Sequence, residues 1–347
     1  DMTAEEREIL MAAYESYKKL QQQYDDDPEL VLQYLNAVKD AWNISESIHD
    51  YEATDRLLLE AVEFLAQQPE SMRSRIEFLQ SEAYFLELRA SRPHLNDIPA
   101  DNNDDTAANP NPDTVDRLAR QSIDRLEAFT LAQSPTASDF VFLADVIRRE
   151  AFRPNGMGPL AIPETKERLE LALSYARRAI ELDPNQASRR ALADVHQYFA
   201  FHRFLGPEAR RRHAESAIAL YEKLYDEKPS RENTSRLADI CFTASALNFA
   251  SQSEHAEEVI QLRARAAELY DDLHRRFPDL TNIQLAAVHT SYALGLSHLR
   301  HYRINGRSEK SLTSAQHALE RAQELLLPNP SFQDKSNVLT NLAICHQ

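Results

Sequence analysis

The chain has 347 residues, with 39 Lys and Arg against 55 Asp and Glu, a formal net charge of −16, 5 glycines and 2 cysteines. That balance disfavours nucleic acid or an anionic membrane surface as the main partner, since both need a basic footprint. Two cysteines exclude a disulfide-stapled scaffold, no run of 18 apolar residues is present to span a membrane, and five glycines leave little room for hairpins or Gly-rich phosphate loops.

Long stretches of Ala, Leu, Glu, Arg and Gln favour helix. Prolines Pro28, Pro69, Pro135, Pro184, Pro229, Pro278 and Pro328 fall 41, 66, 49, 45, 49 and 50 residues apart, each closing an apolar-periodic stretch. Proline cannot continue a helix and pushes its predecessor out of the helical region. Between prolines the pattern therefore predicts two antiparallel helices, A and then B. In chain order these are B at 3–24, A at 30–47, B at 52–67, A at 71–91 and B at 114–132. They continue as A at 137–152, B at 164–182, A at 186–204, B at 208–226, A at 231–250 and B at 255–276. The last three are A at 280–302, B at 309–326 and A at 332–347.

Five A helices carry one phrase: LADVI from Leu143, LADVH from Leu192, LADIC from Leu237, LAAVH from Leu285 and LAICH from Leu342. Self-similarity at this period marks a stacked helical array. The large Leu fills space between helices, the Ala beside it admits a neighbouring backbone, and the residue four places on returns to the same face. The B helices hold matching small-and-aromatic stripes, such as Ala172, Tyr175, Ala176 and Ala179.

Two insertions interrupt the rhythm. Residues 93–113 hold no apolar period and read as a disordered-type surface loop. Residues 154–163 read as a shorter ordered turn. The chain opens on a B helix and closes on an A helix, which reads as one array of six to seven pairs cut from a larger protein.

The segment YARRAIELDPN (Tyr175–Asn185) resembles the second helix of a tetratricopeptide repeat, and NLAICHQ (Asn341–Gln347) resembles the first helix of one. The chain departs from that family in its period of mostly 45–50 residues instead of 34, in longer helices, and in lacking the family's Trp; its one Trp, Trp42, lies in the first A helix. The resemblance implies a right-handed superhelical solenoid of antiparallel helix pairs whose A helices line a concave, peptide-binding face.

On that resemblance, the third member of the phrase faces the groove. It is Asp145, Asp194 and Asp239, continued by Ala287 and Ile344, with Arg148, Arg149, Arg190, Gln197, Tyr198, Arg236 and Phe242 about a turn away. A row of carboxylates has the wrong sign to clamp a terminal carboxylate and suits a basic segment. The alternative is that these acids pair with Arg on adjacent helices and tie repeats together, for under about 1 kcal/mol each.

Chemistry-bearing motifs are weak. His298 and His301 stand three apart on one helix face with His289 upstream, but they lack an acidic or Cys partner at ligand spacing. Asp101–Asp105 starts like a calcium loop, yet Thr106 stands where Gly is required and Pro112 where the bidentate Glu belongs. Gly156-Met157-Gly158 precedes no phosphate-binding helix. No cofactor is implied, and neither catalytic nor metal residues are assigned. The reading is a non-catalytic scaffold that binds a protein or peptide, the basic kind favoured. Its alternative is a regulatory segment of a bacterial signalling enzyme, such as a serine/threonine kinase, or of a transcription regulator. A cytoplasmic location is favoured.

Overall fold

The computed structural model describes residues 4–23, 27–47, 50–92, 95, 112–151, 162–202, 205–249, 255–304, 308–326 and 332–345. Among these, fourteen α-helices occur and no strand. They are α1 (Ala4–Gln23), α2 (Pro28–Ser47), α3 (Tyr51–Gln67), α4 (Ile76–Ala90), α5 (Pro112–Leu131), α6 (Ala137–Ala151) and α7 (Ile162–Leu182). The second half holds α8 (Gln186–Phe201), α9 (Pro207–Glu227), α10 (Arg231–Phe249), α11 (Ala256–Arg276), α12 (Thr281–Ile304), α13 (Glu309–Leu326) and α14 (Phe332–Cys345). Every predicted helix is present. The A helix expected from residue 71 starts as a 3₁₀ turn at Glu70–Ser74, then breaks at Arg75, whose backbone is extended, before α4 begins.

The boundaries follow local chemistry. Asp50 caps α3 by accepting from the Ala53 N–H at 3.0 Å, and Asn185, just after Pro184, caps α8 by accepting from Ser188 N–H at 3.0 Å. Each satisfies a donor that the first helical turn leaves orphaned. Gly206 and Pro207 open α9, with proline in the first turn where no N–H is missed. Between α9 and α10 a single buried side chain closes the corner. Asn233 donates from Nδ2 to the Leu224 and Lys228 carbonyls at 3.0 and 2.9 Å, capping the end of α9 from the start of α10.

The chain forms two compact units, residues 1–184 and 185–347. Within each, every helix packs on its chain neighbours, as expected of a helical-repeat stack. Beyond that, A helices touch the next A helix: α2 on α4 and α4 on α6 in the first unit, α8 on α10 and α12 on α14 in the second. The A helices thus form the closer-packed layer of each unit. The second unit's core runs through Ala193, Ala217, Tyr221, Leu237, Ala266 and Leu319; the first unit's runs through Val38, Leu58, Ala61, Phe78 and Phe85.

Two expectations need correction. LAAVH is out of register: Leu285 is 44% exposed and His289 is exposed, while Ala287, Val288, Thr290 and Ser291 are buried. That pattern matches Leu237, Ala238, Ile240 and Cys241 after a two-residue shift, about 200° around a helix. His289, not Ala287, therefore takes the place of Asp239. The second correction concerns Leu95. It lies within the expected surface insertion yet is fully buried in the first unit's core, and the adjoining Arg92 pairs with Glu46 and Asp55. Pro112 and Asp113, the end of that insertion, already belong to α5; its other residues, the calcium-like stretch Asp101–Asp105 and residues 154–161 lie outside the described residues.

Leu237→Ala should cost about 2–5 kcal/mol in urea unfolding, whereas Leu285→Ala in the same phrase should cost under about 0.5 kcal/mol. Equal losses would place both on one face and refute the shifted register. Gly295→Ala should also destabilise, by about 1–3 kcal/mol. Its new Cβ would stand 2.7 Å from Leu319 Cγ, which is fully buried, and this clash outweighs the usual helical gain of replacing glycine. A raised melting temperature for that variant would show the α12–α13 contact to be looser than described.

Candidate partner-binding face

In the first unit the A-helix layer brings together three of the predicted site residues and a set of aromatic and cationic groups that the phrase does not mark. On α2, Lys39, Trp42 and Glu46 stand at i, i+3 and i+7; on α6, Phe142, Asp145 and Arg149 repeat that spacing. Such residues share one helix face. Between the two stripes, α4 supplies Tyr84. The Trp42 ring meets Tyr84 edge-on, with centroids 6.2 Å apart. Lys39 Nζ lies 4.7 Å from the Tyr84 ring centre and 5.9 Å from that of Phe142, and the Arg149 guanidinium lies 5.7 Å from Tyr84. Arg92 covers Trp42 at 5.4 Å.

The electrostatics of this cluster are uneven. Burial acts to raise the Asp145 carboxyl, but Arg148 and Arg149, both bonded to it, outweigh burial and hold it below its ordinary value. Lys39 has no carboxylate within ion-pair reach among the described residues. Burial lowers the pKa of its ammonium, Asp40 and Asp145 oppose that, and Arg149 adds to it. Burial pushes the Tyr84 hydroxyl up to about 12. Trp42 is 7% exposed and its indole N–H has no hydrogen-bond acceptor among the described residues. A desolvated cation on an aromatic face is worth about 2 kcal/mol when water is excluded.

The second unit treats its predicted residues differently. Asp194 and Gln197 are buried, and the Tyr221 hydroxyl of α9 donates to Asp194 with Gln197 Oε1 at 3.0 Å. Asp239 of α10 accepts from the Tyr270 hydroxyl of α11. These carboxylates face the B helix of their own pair, so the expected row of acids along an open groove is not what the fold builds. Nor do they tie repeats through Arg. Arg190 does make a tie between repeats, donating to Asn233 Oδ1 at 3.0 Å and pairing with Glu232 at 2.8 Å. Tyr198 is half-buried, and Phe242 is half-buried against the second unit's core.

The contrast with Asp145 has a local cause. Ala176 occupies the place on α7 that Tyr221 and Tyr270 hold on α9 and α11, and the hydroxyl of the adjacent Tyr175 bonds Glu127 of α5. Asp145 turns instead to the arginines of its own helix. Of the candidate histidines, His289 is exposed and His298 is half-buried, its pKa lowered by burial and by His301. No three metal-ligating side chains converge among the described residues, and no helix among them is long and apolar enough to cross a membrane.

No protein-family model matches the chain, and no curated protein matches it. Solved structures do. The S. pombe nuclear import adaptor Nro1 matches with a TM-score of 0.56 and 15% identity, over 90% of this chain and 99% of its own. A second Nro1 structure, described as a hypoxic regulator of sterol synthesis and nuclear import adaptor, matches with a TM-score of 0.56 and 14% identity over 96% of this chain and 99% of its own. At that identity the likeness is one of fold: this chain is an all-α helical-repeat protein.

The two kinds of aspartate should respond oppositely to removal of charge. Asp239 has a raised pKa, because burial outweighs its bond from Tyr270 and the nearby Arg236. The fold therefore prefers it protonated, and its contribution to stability falls as pH rises from the ordinary carboxyl value through the raised one. Asp145 is held low, so its contribution is present above the ordinary value and is lost as pH falls. Asp239→Asn, which keeps an acceptor for Tyr270, should leave the pH 7 melting temperature equal or higher. Asp145→Asn should lower it, with the deficit closing as the pH drops below the ordinary carboxyl range. Melting curves between pH 2 and 7.5 check both signs.

Proposed function

We propose that this chain is a non-catalytic interaction scaffold of lengthened tetratricopeptide-like repeats, and that a segment of a partner protein lies across the A-helix layer of its first unit. The observation that carries this reading is the cluster of Lys39, Trp42, Tyr84, Phe142 and Arg149 on three successive A helices. Aromatic and arginine anchors dominate binding energy at protein interfaces, and here they are gathered by the fold around an ammonium that has no ion-pair partner among the described residues. Asp145 and Arg149 would contact the partner directly; Arg148, buried, holds Asp145 in place.

The repeat architecture supports a scaffold because a stack of helix pairs offers extended surface. Nro1, which shares the fold, is described as a nuclear import adaptor, and an adaptor role is in keeping with this surface. The basic partner expected from the row of carboxylates loses its original footing in the second unit, since Asp194 and Asp239 are engaged by tyrosines.

Selection of displayed peptides on the purified chain tests the reading. Enriched peptides should bind at least tenfold more weakly to Lys39→Glu and to Phe142→Asp, both half-buried positions, while circular dichroism shows the variants folded. Binding indifferent to both substitutions would move the site elsewhere, and selection that enriches nothing would sink the peptide-scaffold reading.

A further inference from the structure

The second unit contains a concavity that plays no part in that reading. It lies between the B helices α9 and α11, with the end of α10 as its floor, and encloses about 240 Å³. Ala214 and Ala244 at its base are buried, and Ile218, Leu247 and Leu262 form half-buried walls. An apolar cavity of roughly 150 Å³ admits a benzene ring, so this one has room for a branched aliphatic or aromatic side chain.

Charge is arranged along its rim. Arg211 and Glu222 mark the two ends, eleven residues apart on α9, which is about 16 Å or three helical turns. The Arg211 end is closed on itself: Arg211 pairs with Glu215 at 3.0 Å and Glu258 at 3.6 Å, and His255 lies 3.3 Å from Glu258. At the other end Glu222 is exposed and has no ion pair or hydrogen bond among the described residues. It stands one turn beyond Ile218, on the same face, so an apolar wall leads directly to an unneutralised carboxylate.

We infer that this groove seats a basic amphipathic helix of a partner protein, with one apolar side chain in the cavity and a Lys or Arg, three or four residues away, on Glu222. The spacing of Ile218 and Glu222 matches the spacing of such residues on a partner helix, and the chain's net charge of −16 steers a cationic segment toward it. The docking face lies on B helices of the second unit, and the site proposed above lies on the A-helix layer of the first.

The test is fluorescence-anisotropy binding of a labelled 14-residue helix built from Leu and Lys, with its Leu and Glu counterpart as comparison. The Lys helix should bind the full chain and the Glu helix should not. Ala219→Trp fills the groove from an exposed position on its rim, and Glu222→Lys reverses the free charge; each should weaken the Lys helix at least tenfold. Glu167→Lys, an exposed acid on α7, should change it less than twofold. Equal losses from Glu167→Lys and Glu222→Lys would reduce the binding to bulk charge attraction and overturn the inference, as would equal binding of the Glu helix or unchanged binding by Ala219→Trp. Light scattering that shows a dimer dissociated by Ala219→Trp would assign the groove to a second copy of the chain and also overturn it. Thermal melts confirm that each variant is folded.

Discussion

No helix pair of this chain can bury its apolar stripe alone, and the rest of the structure follows from that constraint. Within each unit every helix packs on its chain neighbours, so the core of each is a succession of local interfaces. Close approach at those interfaces depends on small residues. Ala172, Ala176 and Ala179 on α7, and Ala315, Ala318 and Ala322 on α13, are all buried where a neighbouring helix comes near. At Gly295 the approach is closer still, with Leu319 occupying the space a methyl would need.

Packing of Ala against Leu is forgiving of small slips along the helix axis, and buried polar groups remove that freedom. Glu82 on α4 receives Arg73 and Arg125; Glu150 on α6, fully buried, receives Arg120 from α5 and Arg168 from α7. Glu60 on α3 gathers Tyr14 and Lys18 of α1 and Tyr34 of α2. In the second unit Tyr221, Tyr270 and Arg263 do the same work, Arg263 donating to the Ala293 carbonyl at 2.8 Å and to Ser297 at 2.7 Å. A buried carboxylate or guanidinium without its partner is strongly destabilising, so each such group admits one alignment of its helices and penalises the others.

Once acids are spent on register, the surface left for partners is set by which charged groups the interior does not consume. Asp194 and Asp239 are consumed by tyrosines. Lys39 in the first unit and Glu222 in the second are not, and each sits beside apolar or aromatic side chains. One is a cation on the A-helix layer of its unit, the other an anion on the B-helix layer of its unit.

The sequence by itself determined the helices. Prolines, apolar periodicity and the Leu-Ala phrase placed all fourteen, and the small-residue stripes identified their packed faces, because both signals are local and repeat at the pitch of the helix. Tertiary structure decided where the polar residues point. The third member of the phrase looks groove-facing on a family pattern, but whether Asp194 meets solvent or Tyr221 depends on a side chain 27 residues away on another helix. Leu285 carries the right letters two residues early, and only packing against α13 reveals the slip. Leu95 sits in polar surroundings in sequence and apolar ones in space. The cluster of Lys39, Tyr84 and Phe142 joins three helices of which only α6 carries the phrase, and a cation on a ring requires only proximity. Proximity between distant segments is what a linear pattern of apolar and polar residues does not encode.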